Sequence, residues 1–598
     1  MKFLLMAACL FVTGNAMAQD DAGGELVDVL PAGVTANVKS DRKQDKQKNI
    51  VVAGAPGKGY KAFFAAVDDE HGEELWVTDG TKEGTHIVKD LNDGPSGSNP
   101  SYLGRFNDKV LFSADAGDGS GQETYISDGT EEGTFLLADT YLFGNGDPKT
   151  FTQIDENHAI FSAVTDDSDA YDPDRRNIHV LWLTDGTPEG TYQIAECDMR
   201  HPGQDNTTLH TAYVRVGRRV FFKADNMDGT TGEELWVTDG TEEGTYMVMD
   251  INWEKYGEGT QGYAEGWTRN CGLDNLENYK NEGVFFQAWT PDYGSEPWFS
   301  NGLSKEVING PGEAGDENTY MIFEQDDTKS DTGIGNGRGT FGTGWEVYDD
   351  RIWFRMWDPV GGYEFGGTNM QKGDKKYFDI CTTEPSFNHN SYSDPGCVFD
   401  GVYMFCASTE FDANNPTCHG GELWCYDGEK VWEQYDLVPG IGCDWVKEQT
   451  VAGGSMYWWN EAGADALNAS TGALYRLDSK DGIPVVVTHI DSEVGDMCNT
   501  LRAMDGNLVF ASATTNKIYV YKYRKPGYDG TSDYGYTEPD FGPGTPILGV
   551  KDVKAENAQA ENNNVYTIDG VQVRKNSTST EGLAKGVYVV DGKKVVVR

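Results

Sequence analysis

Residues 72–85 read GEELWVTDGTKEGT, and residues 232–245 read GEELWVTDGTEEGT; only Lys82 against Glu242 differs. Near-identical sentences so far apart in one chain mark a repeat architecture, a solenoid or a propeller. Working outward, Phe63-Phe64-Ala65-Ala66 precedes the first copy. Similar runs stand at 110–114, 160–163, 220–224 and 284–288, with weaker forms at 352–354, 403–405, 457–459 and 508–510. These are nine modules. Each strong module keeps one order. The F-x-A run comes first, then a polar Asp/Gly turn, then an alternating E-L-W-V-T strand. A D-G-T turn follows, in which Asp bonds its own backbone and Gly takes positive φ. Gly-Thr then enters a last strand such as 246–250, and an earlier strand such as 102–106 precedes the F-x-A run. Four short antiparallel strands per unit is the pattern of a propeller blade. The expected fold is all-β: a large β-propeller over 49–524, of eight or nine blades of four antiparallel strands.

The turn recurs at Asp79, Asp128, Asp185 and Asp239, with worn copies at Asn301-Gly302 and Asp427-Gly428. Trp76, Trp182, Trp236, Trp298 and Trp424 hold one position of the module. A tryptophan once per blade is either a wedge between neighbouring sheets or part of a ring of ligand-stacking aromatics. ELWVTDGTKEGT, LWLTDGTPEGT and ELWVTDGTEEGT resemble the ELWxxDGT-repeat proteins, secreted bacterial proteins with tandem β-repeats. The resemblance covers roughly residues 50 to 525. It implies the repeat type and no particular chemistry.

The chain of 598 residues carries 48 Lys+Arg against 97 Asp+Glu, a formal charge of −49. Phosphate recognition needs a basic face, so neither nucleic acid nor an anionic membrane surface is expected as a partner, and no membrane insertion is expected. The aromatic content argues for a packed core over disorder. Residues 1–18 read as a secretory signal peptide: Lys2, an apolar run from Phe3 to Val12, and Ala16-Met17-Ala18 before the cut. The run is too short to span a bilayer, and Met6-Ala7-Ala8-Cys9 only loosely mimics a lipoprotein box. Residues 19–48 read as a leader. Nine cysteines remain after cleavage, an odd number. Export permits disulfides, and Cys406 with Cys425, on adjacent predicted strands, is the best single pair.

Residues 525–548, rich in Gly and Pro, read as a linker. Residues 549–598 then show short alternating strands with D-G turns at Asp569-Gly570 and Asp591-Gly592. Gly586, Tyr588, Gly592 and Lys593-Lys594 are similar to the ending of the C-terminal sorting domain of proteins exported by the type IX system of Bacteroidetes. The resemblance implies a small β-sandwich-like domain that acts as an address. It further implies the secretion machinery as a partner, and release or attachment at the outer surface. An ordinary small β-domain capping the chain is the other reading.

Catalytic motifs are not found: no HExxH, no G-x-S-x-G, no phosphate-binding P-loop. Residues 337–342 fit GxGxxG without a βαβ unit, and read as a loop. Asp115 and Asp118, like Asp225 and Asp228, place two carboxylates on a short Gly-bearing loop. Such loops either close Asx-turns or hold calcium, the one cofactor expected. Trp253, Tyr256, Tyr263 and Trp267 lie in a long insertion. They either pin the loop or form a ligand-binding platform for a sugar. The expected function is a secreted or surface-attached scaffold binding a glycan or protein ligand. The alternative is a carbohydrate-active enzyme in the propeller funnel, which an inward cluster of unlike carboxylates with raised pKa would favour.

Overall fold

The computed structural model describes residues 19–38, 49–325, 347–436, 446–489 and 501–530, with interruptions inside those ranges, and the strands of 565–597. It divides into two units, residues 1–543 and 544–598. The first unit is a nine-bladed propeller. Every F-x-A run is the second strand of a four-stranded antiparallel sheet. Blade 2 shows the plan: Ser101–Phe106, Lys109–Asp115, Gln122–Ser127 and Phe135–Ala138, each pairing with the next. The same order builds blade 3 (Lys149–Gln153 to Tyr192–Ala195), blade 4 (Tyr213–Val216 to Tyr246–Asp250) and blade 5 (Asp274–Tyr279 to Thr319–Met321). It also builds blade 6 (Val347–Tyr348 to Lys376–Phe378), blade 7 (Asp394–Phe399 to Val431–Tyr435) and blade 8 (Val446–Ala452 to Val485–His489). Blade 1 centres on Gly59–Asp68 and Gly72–Thr78, with Val51–Ala55 and Thr35–Ala36 both on its inner side. Blade 9 runs Arg502–Met504, Asn507–Ser512, Lys517–Lys522, and takes its outer strand, Glu25–Asp28, from the other end of the chain. The stretch read as a leader therefore closes the ring.

The repeated sentence folds as a strand and a braced turn. Thr78 Oγ1 lies 2.6 Å from Thr85 Oγ1, and Gly80 N donates to Thr78 Oγ1. Asp79 Oδ1 accepts from Thr81 N and Thr81 Oγ1, at 2.9 and 2.6 Å. Blades 2, 3 and 4 repeat these bonds around Asp128, Asp185 and Asp239. The glycine of the final G-T has a steric reason. A Cβ on Gly84, Gly133, Gly190 or Gly244 would stand 1.9 to 2.1 Å from that aspartate's Oδ1.

Packing joins the blades. Nine buried apolar clusters correspond to the nine contacts between neighbouring blades, from blades 1 and 2 (Leu75, Val77, Leu103, Phe112) to blades 9 and 1 (Val509, Val520, Phe64, Trp76). Along the third strand the side chains alternate. Leu235 and Val237 face blade 5, while Trp236 faces blade 3. Trp182, Trp236 and Trp298 stack on the phenylalanines opposite them, Phe161, Phe222 and Phe286. The repeated tryptophan is thus the wedge between sheets, fully buried as Trp298 and partly buried as Trp182 and Trp236.

Cys406 and Cys425 do lie on paired strands. However, Cys406 faces Leu423 and Cys425 faces Met404. The two are diagonal neighbours, roughly 7–8 Å apart in such a ladder, beyond disulfide reach. The expected pair is corrected by register. In the second unit, Gln572–Arg574, Val565–Thr567, Gly586–Val590 and Lys593–Val597 form one four-stranded antiparallel sheet.

Candidate functional site

Strand direction sorts the connections onto two faces of the propeller. First-to-second-strand turns and the D-G-T turns lie on one. The former are mostly two-residue hairpins, such as Asp349-Asp350, Asp400-Gly401 and Asp505-Gly506, with both residues at positive φ as type I′ turns require. Connections from second to third strand, and from one blade to the next, begin and end on the other face. The long insertions are all of this second kind, apart from 301–318 of blade 5. Asp115, Asp118, Asp225 and Trp253 belong to this long-connection face. Asp228, Tyr256, Tyr263 and Trp267 lie outside the described residues.

Asp115 Oδ1 accepts from Gly117 N at 2.8 Å. Asp118 Oδ1 accepts from Ser120 N and Ser120 Oγ at 3.0 and 2.7 Å, and the Ser120 bonds hold its pKa low. Each acid closes its own Asx-turn. Among the described residues, no group of three or more His, Cys, Asp or Glu is arranged to hold a metal ion. Trp253 is half-buried beside a stitched stem: Arg269 N donates to Glu254 O, and Asn252 Nδ2 donates to Asn270 O, each at 2.8 Å.

Beneath that face lie acids that the sequence reading assigned to folding alone. The glutamate of the E-L-W motif is buried in six blades, as Glu74, Glu123, Glu234, Glu296, Glu364 and Glu422. It grips the chain crossing to the next blade. Glu123 accepts from Thr140 N and Gly146 N, and Glu364 from Ile380 N and Ser391 N. Burial outweighs these amides and raises both carboxyls to about 7. A second acid stands at or just past the end of the fourth strand, for example Asp139, Asp250 and Asp379.

Blade 4 differs from blades 2 and 6. Glu234 and Asp250 are 0% and 2% exposed, and Cys271, on the returning stem, is fully buried. Glu234 Oε2 accepts from Ile251 N at 2.9 Å, but Glu234 Oε1 and Asp250 Oδ1 have no hydrogen-bond partner. Burial, then the neighbouring Asp250 charge, push the Glu234 carboxyl well up. Burial lifts Asp250 to about 6 against the pull of Lys255. Cys271 is raised by burial and by Glu234. Closed off from solvent, this group can hold a proton but cannot reach a substrate. Its signal in the sequence was hidden, because Glu234 repeats a motif letter.

Nearer the axis, Asp147 Oδ2 lies 2.6 Å from Lys149 Nζ and 3.7 Å from His179 Nε2. Here the innermost strands bulge, with Tyr102 and Thr150 at φ of 54° and 58°, conformations uncommon for such side chains.

No protein-family model matches the chain. No curated protein matches it. Solved structures do: a prolyl endopeptidase aligns with TM-score 0.33 and 10% identity over 80% of this chain and 55% of that one. Puromycin hydrolase aligns with TM-score 0.27 and 12% identity over 65% of this chain and 55% of its own. An uncharacterized protein from Listeria monocytogenes EGD-e aligns with TM-score 0.27 and 9% identity, over 68% and 97%. The chain spans about half the length of the first two.

Proposed function

We propose that this protein is an exported scaffold that binds a glycan or protein ligand through the long-connection face of its propeller. The observation that carries the reading is the division of labour between faces. The repeated turns crowd one face, where their side chains bond to their own backbone. Most of what differs between blades lies on the other. Rigid sheets that present variable connections suit recognition. The resemblance to ELWxxDGT-repeat proteins, the signal peptide and the tail's similarity to type IX sorting domains support placement at or beyond the outer surface of a Bacteroidetes cell.

The stem of blade 4, with Trp253, is the part of that face we assign to ligand contact. The full chain applied to a glycan array and to surface proteins should bind selectively, and Trp253→Ala should weaken binding without lowering thermal stability appreciably. Uniform absence of binding would overturn the scaffold reading. The enzyme alternative places its site at Asp147, Lys149 and His179 near the axis. Hydrolysis of an array glycan that Asp147→Asn abolishes would establish it.

A further inference from the structure

The blades provide an internal comparison. In blade 1, Glu74 Oε1 accepts from Asn92 N and Ser98 N, and Oε2 from Ser98 Oγ. In blades 2 and 6 both oxygens of Glu123 and Glu364 are likewise engaged by donors of the crossing chain. Blade 4 keeps the glutamate yet leaves Glu234 Oε1 without a donor, and leaves Asp250 Oδ1 the same way. Each side chain is more than nine-tenths buried. Leu235 pairs with Met249 between the third and fourth strands, so Glu234 and Asp250 stand at the adjoining positions of that ladder and their carboxylates are neighbours. Thr231, on the loop leading to Glu234, is also buried, and its Oγ1 has no hydrogen-bond partner. Unmatched buried charge of this kind is expensive, and proteins relieve it with a counter-charge or a metal.

We propose that blade 4 binds one hard divalent cation of the calcium class between Glu234 Oε1 and Asp250 Oδ1. Hydroxyl, carbonyl and water oxygens complete its shell. Oxygen donors of this type suit calcium, which takes six to eight of them in flexible geometry. Thr231 Oγ1 is the nearest such donor in sequence. The site differs from the surface turns at Asp115 and Asp118, whose Oδ1 atoms each accept from the backbone two residues on. The ion clips the end of the outer strand to the start of the third, at the base of the stem that carries Trp253. It does not depend on the ligand-binding reading. Loss of glycan or protein binding with the calcium effect intact would count against that reading only.

The test uses the full chain, stripped with chelator and titrated with calcium chloride by calorimetry, with thermal unfolding recorded in parallel. Calcium should raise the unfolding temperature, as any ligand of the native state does. Asp250→Asn and Glu234→Gln should each weaken the binding roughly tenfold or more and remove the shift. Glu364→Gln, in blade 6, should lower the unfolding temperature with and without calcium yet keep the shift. Asp118→Asn should leave both unchanged. No shift in the wild type, or a shift that survives Asp250→Asn, would overturn the proposal; an unfolding midpoint that follows pH alone would mean a shared proton holds the pair.

Discussion

A single glutamate carries the seam between blades. Glu364 is fully buried and accepts from Ile380 N and Ser391 N at 2.9 and 2.8 Å. Glu364→Ala would strand the buried Ile380 N–H, at a cost of about 1–3 kcal/mol, while Ser391 N keeps its bond to Tyr363 O. The same group ties stability to pH. Its carboxyl is raised to about 7 in the folded chain, as is that of Glu123, against about 4.3 when unfolded. The folded state therefore binds more protons across that interval, and the slope of stability with pH is negative. This contribution is fully present below the unfolded value and is lost as pH rises through about 7. The urea midpoint should be lower at pH 8 than at pH 5, and the fall should be shallower in a Glu123→Gln, Glu364→Gln double variant. An unchanged slope would remove these carboxyls from the explanation.

One strand decides whether the ring closes. Glu25–Asp28 pairs antiparallel with Lys517–Lys522, Asp28 pairs with Lys517, and Val29 and Leu30 are buried against blades 9 and 1. Those two side chains alone contribute about 1.5–3 kcal/mol each. Deleting residues 19–30 should leave blade 9 with an unpaired outer edge, lower the unfolding temperature and expose the ends of the chain to protease. Unaltered protease resistance would argue that closure rests on the inner strands alone. Elements of this kind were unevenly legible. The second and third strands were visible through F-x-A and E-L-W, because alternation and turn chemistry are local. The strand 25–28 was read as leader, since its partner lies at the far end of the propeller.

The molecule as a whole is strongly acidic, with a formal charge of −49, and six blades each bury a motif glutamate. Self-repulsion at this charge destabilises the compact state and is screened by salt over about 10 Å at 0.1 M. With chelator present, the unfolding temperature should rise as sodium chloride increases from low to physiological ionic strength. A flat response would mean that the surface charges are already offset within the fold. The same measurement with calcium separates general screening from an ion held in blade 4.

Repeat, strand content and turn type were determined by the sequence itself, because each depends on residues a few places apart. Asp79, Thr81, Gly84 and Thr85 build their turn from their own bonds. The tryptophan's role was open between wedge and ligand ring, and only neighbouring blades settle it. Tertiary structure alone decided that nine blades close, that the N-terminal strand completes the last, and that Cys406 and Cys425 miss one another by register. It also separated Glu234 from Glu74, Glu123 and Glu364. All share a letter in the motif, but whether a carboxylate finds its amides depends on the path of the chain to the next blade, which pairing over long sequence distance sets.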